Sequence, residues 1–241
     1  MSWTLVEMRR AARSPGQFRA GIALAVALLL GLSGCAAEPE PPATVDDSAS
    51  ADPEADSGDG SGQRVELGAS DALVWGGGGG DYGVVLVHGA AFDAASWEQQ
   101  AARFADEGLA VLAVEDTSAE TLIAAIDFLE VERGAQEVAL LGASAGAAAV
   151  INAAVANPDS YDQLVLLSPA GGDVAALSDG PKFFIYSLDE GSAGSIEQLI
   201  ADAPGQDNEV LAVEGSAHAQ AVFETSAGAD VVDAILNRLI G

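Results

Sequence analysis

The apolar positions of this chain fall into short continuous runs separated by segments of helical spacing. Runs at 84–87 and 109–114 are unbroken rather than alternating, the mark of strands buried on both faces, and further apolar runs at 138–141, 164–167, 183–186 and 210–213 read as strands. Two shorter runs, 65–67 and 72–75, read as an antiparallel start to the same sheet. Between the strands, 96–107 reads as a helix capped by Ser96 and stopped by Gly108. Residues 119–133 carry Leu122, Ile123, Ile126 and Leu129 at helical spacing and end at Gly134. Three more helices are predicted over 146–157, 195–203 and 228–239. Strand–helix alternation of this kind predicts an α/β fold of three layers, with about eight mostly parallel strands and helices on both faces. The connection 168–182 is too short for a cap domain. The five glycines from Gly76 to Gly80 lack a following Gly-Lys-Ser/Thr, so a phosphate loop is excluded and a flexible hairpin connection is expected.

The strand at 138–141 runs into Gly142-Ala143-Ser144-Ala145-Gly146, and a helix follows. A G-x-S-x-G between strand and helix is a nucleophile elbow. The motif alone is weak; the strand–helix context gives it weight. The flanking residues must be small because strand and helix backbones nearly touch there. The serine then stands exposed at the positive end of a helix. A hydroxyl needs a base to become a nucleophile. The chain has two histidines, His88 and His218, each just past a strand. In an open parallel sheet, sites form at the C-terminal ends of the strands, so both belong on the Ser144 side. An elbow of this type has the chain order serine, acid, histidine, which only His218 satisfies. His88 is expected to be structural.

These features resemble the α/β-hydrolases, in the small uncapped group that includes dienelactone hydrolase-like enzymes. The resemblance rests on the apolar strand ending His88-Gly89, on Trp97, on residues 142–146 and on His218, and it covers 63–241. It implies an oxyanion hole formed by the backbone N–H of Ala145 and one from Ala90 or Ala91. Each such donor is worth on the order of 3 kcal/mol in a transition state. It also implies an acid after a late strand. In the family this strand often ends Gly-x-x-Asp; here it reads Ser187-Leu188-Asp189-Glu190. Setting Ser187 at the glycine position puts Glu190 at the acid. Asp189 is the more usual residue type, and Asp173 follows the preceding strand. The three remain open.

The first 62 residues are not core. Arg9, Arg10, Arg13 and Arg19 precede an apolar run of about a dozen residues, too short for a confident membrane span. Leu32-Ser33-Gly34-Cys35 follows. This order reads as a secretory signal peptide over 1–34. Its ending resembles a bacterial lipobox, in which Cys35 is diacylated and becomes the first residue of the mature chain. Residues 36–62 have no aromatic or basic side chain and eight acidic ones, and read as a disordered tether. The whole chain carries 37 acidic and 9 basic residues. Loss of 1–34 removes Glu7 and the four arginines, leaving a formal charge of −31. That excludes a nucleic-acid footprint and disfavours docking on anionic head groups, so the lipid does the anchoring. With two separated histidines and one cysteine, no metal or cofactor is expected. The chain is thus expected to be an exported, lipid-anchored serine esterase at the extracytoplasmic face of a bacterial membrane, acting on a small ester-type substrate. The alternative is a non-catalytic envelope lipoprotein that keeps the fold for binding.

Overall fold

A computed structural model describes residues 61–76 and 80–241. The signal peptide, Cys35 and nearly all of the tether lie outside the described residues.

Eight strands form one sheet: β1 (Gln63–Leu67), β2 (Ser70–Trp75), β3 (Tyr82–Val87), β4 (Ala110–Val114), β5 (Glu137–Ala143), β6 (Gln163–Leu167), β7 (Lys182–Ser187) and β8 (Asn208–Val213). Their order across the sheet is β1-β2-β4-β3-β5-β6-β7-β8. Only β2 is reversed: it pairs antiparallel with β1 on one side and with β4 on the other, and every other neighbouring pair is parallel. Five helices cover the faces: α1 (Glu98–Asp106), α2 (Ala119–Glu132), α3 (Ala145–Ala156), α4 (Ala193–Asp202) and α5 (Gly228–Ile240). Adjacent strand residues feed opposite cores. Val85, Val87 and Leu140 pack with Leu122 of α2 and Val150 of α3, and Leu199 of α4 joins them. Val84, Leu86 and Leu141 pack with Phe104 of α1 and Ile235 of α5. Burial on both sides is why β3 to β7 read as continuous apolar runs; the run at 210–213 is instead the outer strand β8, largely exposed, with Val210 45% exposed.

Two expectations are corrected. The helix expected from Ser96 begins earlier, as a 3-10 turn over Ala94–Trp97. Its cap is Asp93, whose Oδ1 accepts from the Ser96 N–H at 3.1 Å. A carboxylate three residues upstream satisfies that first-turn donor, leaving the Ser96 hydroxyl for other contacts. The glycine stretch is no hairpin connection, because β4 lies between β2 and β3. The chain must cross the entry of β4, and a Cβ at Gly80 would sit 2.2 Å from the Gly108 carbonyl oxygen. A Cβ at Gly76 would likewise lie 2.8 Å from the Leu109 carbonyl oxygen, so these two glycines answer to close backbone approach. Between β6 and β7 the only regular structure is a 3-10 turn at Val174–Ala176, and among the described residues no cap covers the C-terminal end of the sheet.

The single lysine of the chain, Lys182, opens β7 fully buried. Its ammonium donates to the carbonyls of Ser178, Gly180 and Pro204 at 2.8, 2.7 and 2.8 Å. Burial pushes its pKa down, partly offset by Asp179 and Asp207.

Candidate active site

The turn from β5 into α3 forces Ser144 to φ 53 and ψ −114, a conformation costly for any residue with a Cβ. Its backbone is held from three sides. The Ser144 N–H donates to the Leu167 carbonyl at 2.9 Å, and its carbonyl accepts from Ala148 and Ala170, each at 3.2 Å. Close packing enforces the glycines of the motif. A Cβ at Gly146 would lie 2.3 Å from the Val87 carbonyl oxygen and 2.4 Å from that of His88; one at Gly142 would meet Ala147 at 2.7 Å.

Ser144 and His218 come together at the C-terminal end of the sheet. With the His218 proton on Nδ1, the Ser144 hydroxyl donates to Nε2 at 2.8 Å. Nδ1–H then donates to Glu190 Oε2 at 3.2 Å. The imidazole is 45% exposed and the Glu190 side chain 1%, so the acid is shielded while the ring is reachable. Of the three carboxylates the sequence left open, Glu190 is the one that faces the ring. Asp189 is exposed, and its N–H is tied to the Gly215 carbonyl at 2.9 Å. Asp173 is exposed at the start of the 3-10 turn after β6 and does not meet His218.

Two buried polar side chains that sequence reasoning missed complete the arrangement. The Ser168 hydroxyl donates to the same Glu190 Oε2 at 2.8 Å and accepts from the Ala219 N–H at 3.0 Å. Gln220 accepts from the Gly89 N–H at 3.0 Å and donates to Ser96 Oγ at 2.8 Å, joining the histidine loop to the loop after β3. On the other side, Ser187 Oγ donates to the Ala217 carbonyl at 2.6 Å. The loop carrying His218 is therefore fixed at 217, 219 and 220. Ser144, Ser168 and Ala219 are the non-glycine residues with positive φ among the described residues, and all three belong to this site. The only sequence-level hint was that Ser168 and Gln220 each follow closely on a strand end or a histidine.

Residues 89–92 form a turn closed by the Phe92 N–H donating to the Gly89 carbonyl at 3.0 Å. Ala90 and Ala91 are its two central, exposed residues, and among the described residues no backbone carbonyl accepts from their amides. Ala145 opens α3, where N–H groups lack an intrahelical acceptor. His88 bonds backbone carbonyls through both ring nitrogens, Gly89 at 2.9 Å and Glu115 at 3.1 Å, and does not touch Ser144. Among the described residues, no group of three His, Cys, Asp or Glu side chains is arranged to hold a metal.

No protein-family model and no curated protein matches the sequence. Solved structures do. A predicted CIB-like hydrolase from Thermoplasma acidophilum superposes with a TM-score of 0.60 at 17% identity, covering 74% of this chain and 96% of that one. Dienelactone hydrolase from Anabaena variabilis gives 0.60 at 18%, covering 73% and 94%. The monoacylglycerol lipase of Paleococcus ferrophilus gives 0.57 at 18%, covering 70% and 97%. The fold is the α/β-hydrolase fold, with no cap among the described residues.

Proposed function

We propose that the chain is a serine hydrolase acting on ester bonds. The observation that carries this reading is the unbroken hydrogen-bonded line from buried Glu190 through His218 to Ser144, at a strained turn between β5 and α3. Ser144 Oγ attacks the ester carbonyl while His218 Nε2 takes its proton. Glu190 holds the proton of Nδ1 in place and offsets the charge of the imidazolium. The developing oxyanion is met by the N–H of Ala145 and that of Ala90 or Ala91. His218 then returns the proton to the departing alkoxide. In the second half, His218 deprotonates water, which attacks the acyl–Ser144 ester and restores the hydroxyl. The similar structures named as hydrolases and a lipase support the same class of chemistry. The open strand ends, with no cap above them, suit a small or extended ester.

Export and anchoring through diacylated Cys35 belong to the same proposal. They are tested by metabolic labelling with a palmitate analogue, which should tag the expressed full chain and leave Cys35→Ser untagged.

The hydrolase reading is tested by release of 4-nitrophenol from 4-nitrophenyl butyrate by the full chain, beside Ser144→Ala and His218→Ala. Turnover should vanish in both variants. A folded chain without turnover supports the non-catalytic lipoprotein instead. Glu190→Gln should lose on the order of a hundredfold or more in kcat while Asp189→Asn stays within about threefold.

A further inference from the structure

Carboxylates lie at both ends of the strands, Asp81, Asp162, Asp179 and Asp207 among them at the N-terminal end, but the cations among the described residues do not reach the C-terminal end. Five exposed or part-exposed carboxylates sit on the loops that leave the C-terminal ends of the parallel strands: Asp93 after β3, Asp116 after β4, Asp173 after β6, Asp189 after β7 and Glu214 after β8. Glu115 and Glu190 add to the same end. Ser144 follows β5, inside this ring. The cations lie elsewhere. Arg103 is in the last turn of α1 and Arg133 caps the end of α2, where the chain returns to start the next strand. Lys182 is the first residue of β7, about 17 Å of strand from Ser187. Arg238 is in the last turn of α5 and donates to the Asp207 carbonyl, just before β8 begins, at 3.2 Å. Arg64 is on the outermost strand, four strand spacings or about 19 Å from β5, and is paired with Asp71 at 2.7 Å. Among the described residues, no cation flanks the Ser144–His218 pair.

The same end carries apolar surface. Phe92 is 48% exposed and Leu188 45%. The Phe92 ring approaches within 3.6 Å of the space a Cβ on Gly89 would occupy, and Ser144 Cβ approaches that point to 3.5 Å. Phe92 thus borders the serine. A substrate carbonyl at Ser144 meets an apolar ring on one side and a carboxylate field around it, with no group to pair an acidic substituent.

We infer that this site selects uncharged or cationic esters and excludes esters whose acyl part carries a carboxylate or phosphate. The inference rests on the hydrolase reading above. For scale, one carboxylate about 10 Å from a unit-charged substrate in water changes its local concentration about twofold. Several acting together through a concave site give on the order of tenfold at low salt, and the effect decays as the Debye length shrinks.

The test uses three 4-nitrophenyl esters of one leaving group: butyrate, hemisuccinate and 4-(trimethylammonio)butyrate. With the full chain at about 10 mM ionic strength, kcat/KM for butyrate should exceed that for hemisuccinate by about tenfold or more, with the cationic ester at or above butyrate. At about 1 M salt the differences should shrink to about twofold or less. The double variant Asp173→Lys/Asp189→Lys should narrow the low-salt gap at least threefold. Glu132→Lys, at the opposite end of the sheet, should leave it unchanged. Equal turnover of butyrate and hemisuccinate at low salt, or a gap indifferent to salt and to the double variant, overturns the inference while the hydrolase reading stands. Turnover of none of the three overturns the hydrolase reading and this inference with it.

Discussion

Ser168 offers the sharpest separation between holding the fold and serving the chemistry. Replacing it with alanine removes two bonds at once: the 2.8 Å donation to Glu190 Oε2 and the 3.0 Å acceptance from the Ala219 N–H. Both partners are buried; the Ala219 N–H is left without its acceptor and Glu190 Oε2 loses one of its two partners. A lost bond to a carboxylate costs about 1.5–3 kcal/mol and an orphaned buried N–H about 1–3 kcal/mol. The two share one hydroxyl, and a combined loss of about 3 kcal/mol is expected, within the stability of an ordinary domain. Glu190 keeps its bond from the Ser192 hydroxyl at 3.1 Å and its contact with His218, so the carboxylate stays but loosens. A loosened acid misplaces the imidazole, and kcat should fall by about 10- to 100-fold. Ser168→Gly removes the same hydroxyl but relieves φ 41. The left-handed conformation costs a residue with a Cβ about 1–2 kcal/mol, against about 0.5–1 kcal/mol for the extra freedom glycine loses on folding. The glycine variant should therefore be more stable than the alanine variant by about 0.5–1 kcal/mol and equally slow. The assays are urea unfolding and 4-nitrophenyl butyrate turnover. Retention of kcat within about twofold in both variants would show that the hydroxyl serves the fold alone.

Other consequences are open to simpler assays. Gln220→Ala leaves the Gly89 N–H without its acceptor and unties the turn that presents Ala90 and Ala91; kcat should drop about tenfold with KM little changed, as for weakened oxyanion support. Gly146→Ala places a Cβ 2.3 Å from the Val87 carbonyl oxygen; a destabilisation of about 3 kcal/mol or more is expected in thermal unfolding, since backbone on both sides must move. Asp116 accepts from the Ser118 and Thr121 hydroxyls, each at 2.7 Å, and these bonds hold its pKa below 3.8. A depressed carboxylate pKa adds stability above the unfolded value that is lost as pH falls through the folded one. The stability gap between the parent and Asp116→Asn should therefore be present at pH 6 and narrow below pH 3.8 in acid unfolding.

Much of this architecture is legible in the residues. The continuous apolar runs reveal strands buried on both faces, because a parallel sheet needs cover on both sides. The elbow is legible because its glycines answer to backbone contacts under 3 Å. His218 is legible because there are only two histidines. The acid is not, since whether Asp189 or Glu190 turns inward depends on the pairing of the Asp189 N–H with Gly215, a contact across 26 positions of chain. The same applies to Ser168 and Gln220. A serine or a glutamine leaves no pattern in sequence, and their importance comes from what the fold brings opposite them. The place of β4 between β2 and β3 was hidden for the same reason, because strand order is not written in strand periodicity.

The central claim is that Ser144 is an activated nucleophile. The most direct measurement is intact-mass and peptide mapping of the purified full chain after exposure to a fluorophosphonate, beside Ser144→Ala and His218→Ala. One phosphonyl adduct located on Ser144, absent from Ser144→Ala and strongly slowed in His218→Ala, is the expected result. A folded parent chain that takes no adduct, or an adduct that persists in Ser144→Ala, would contradict it.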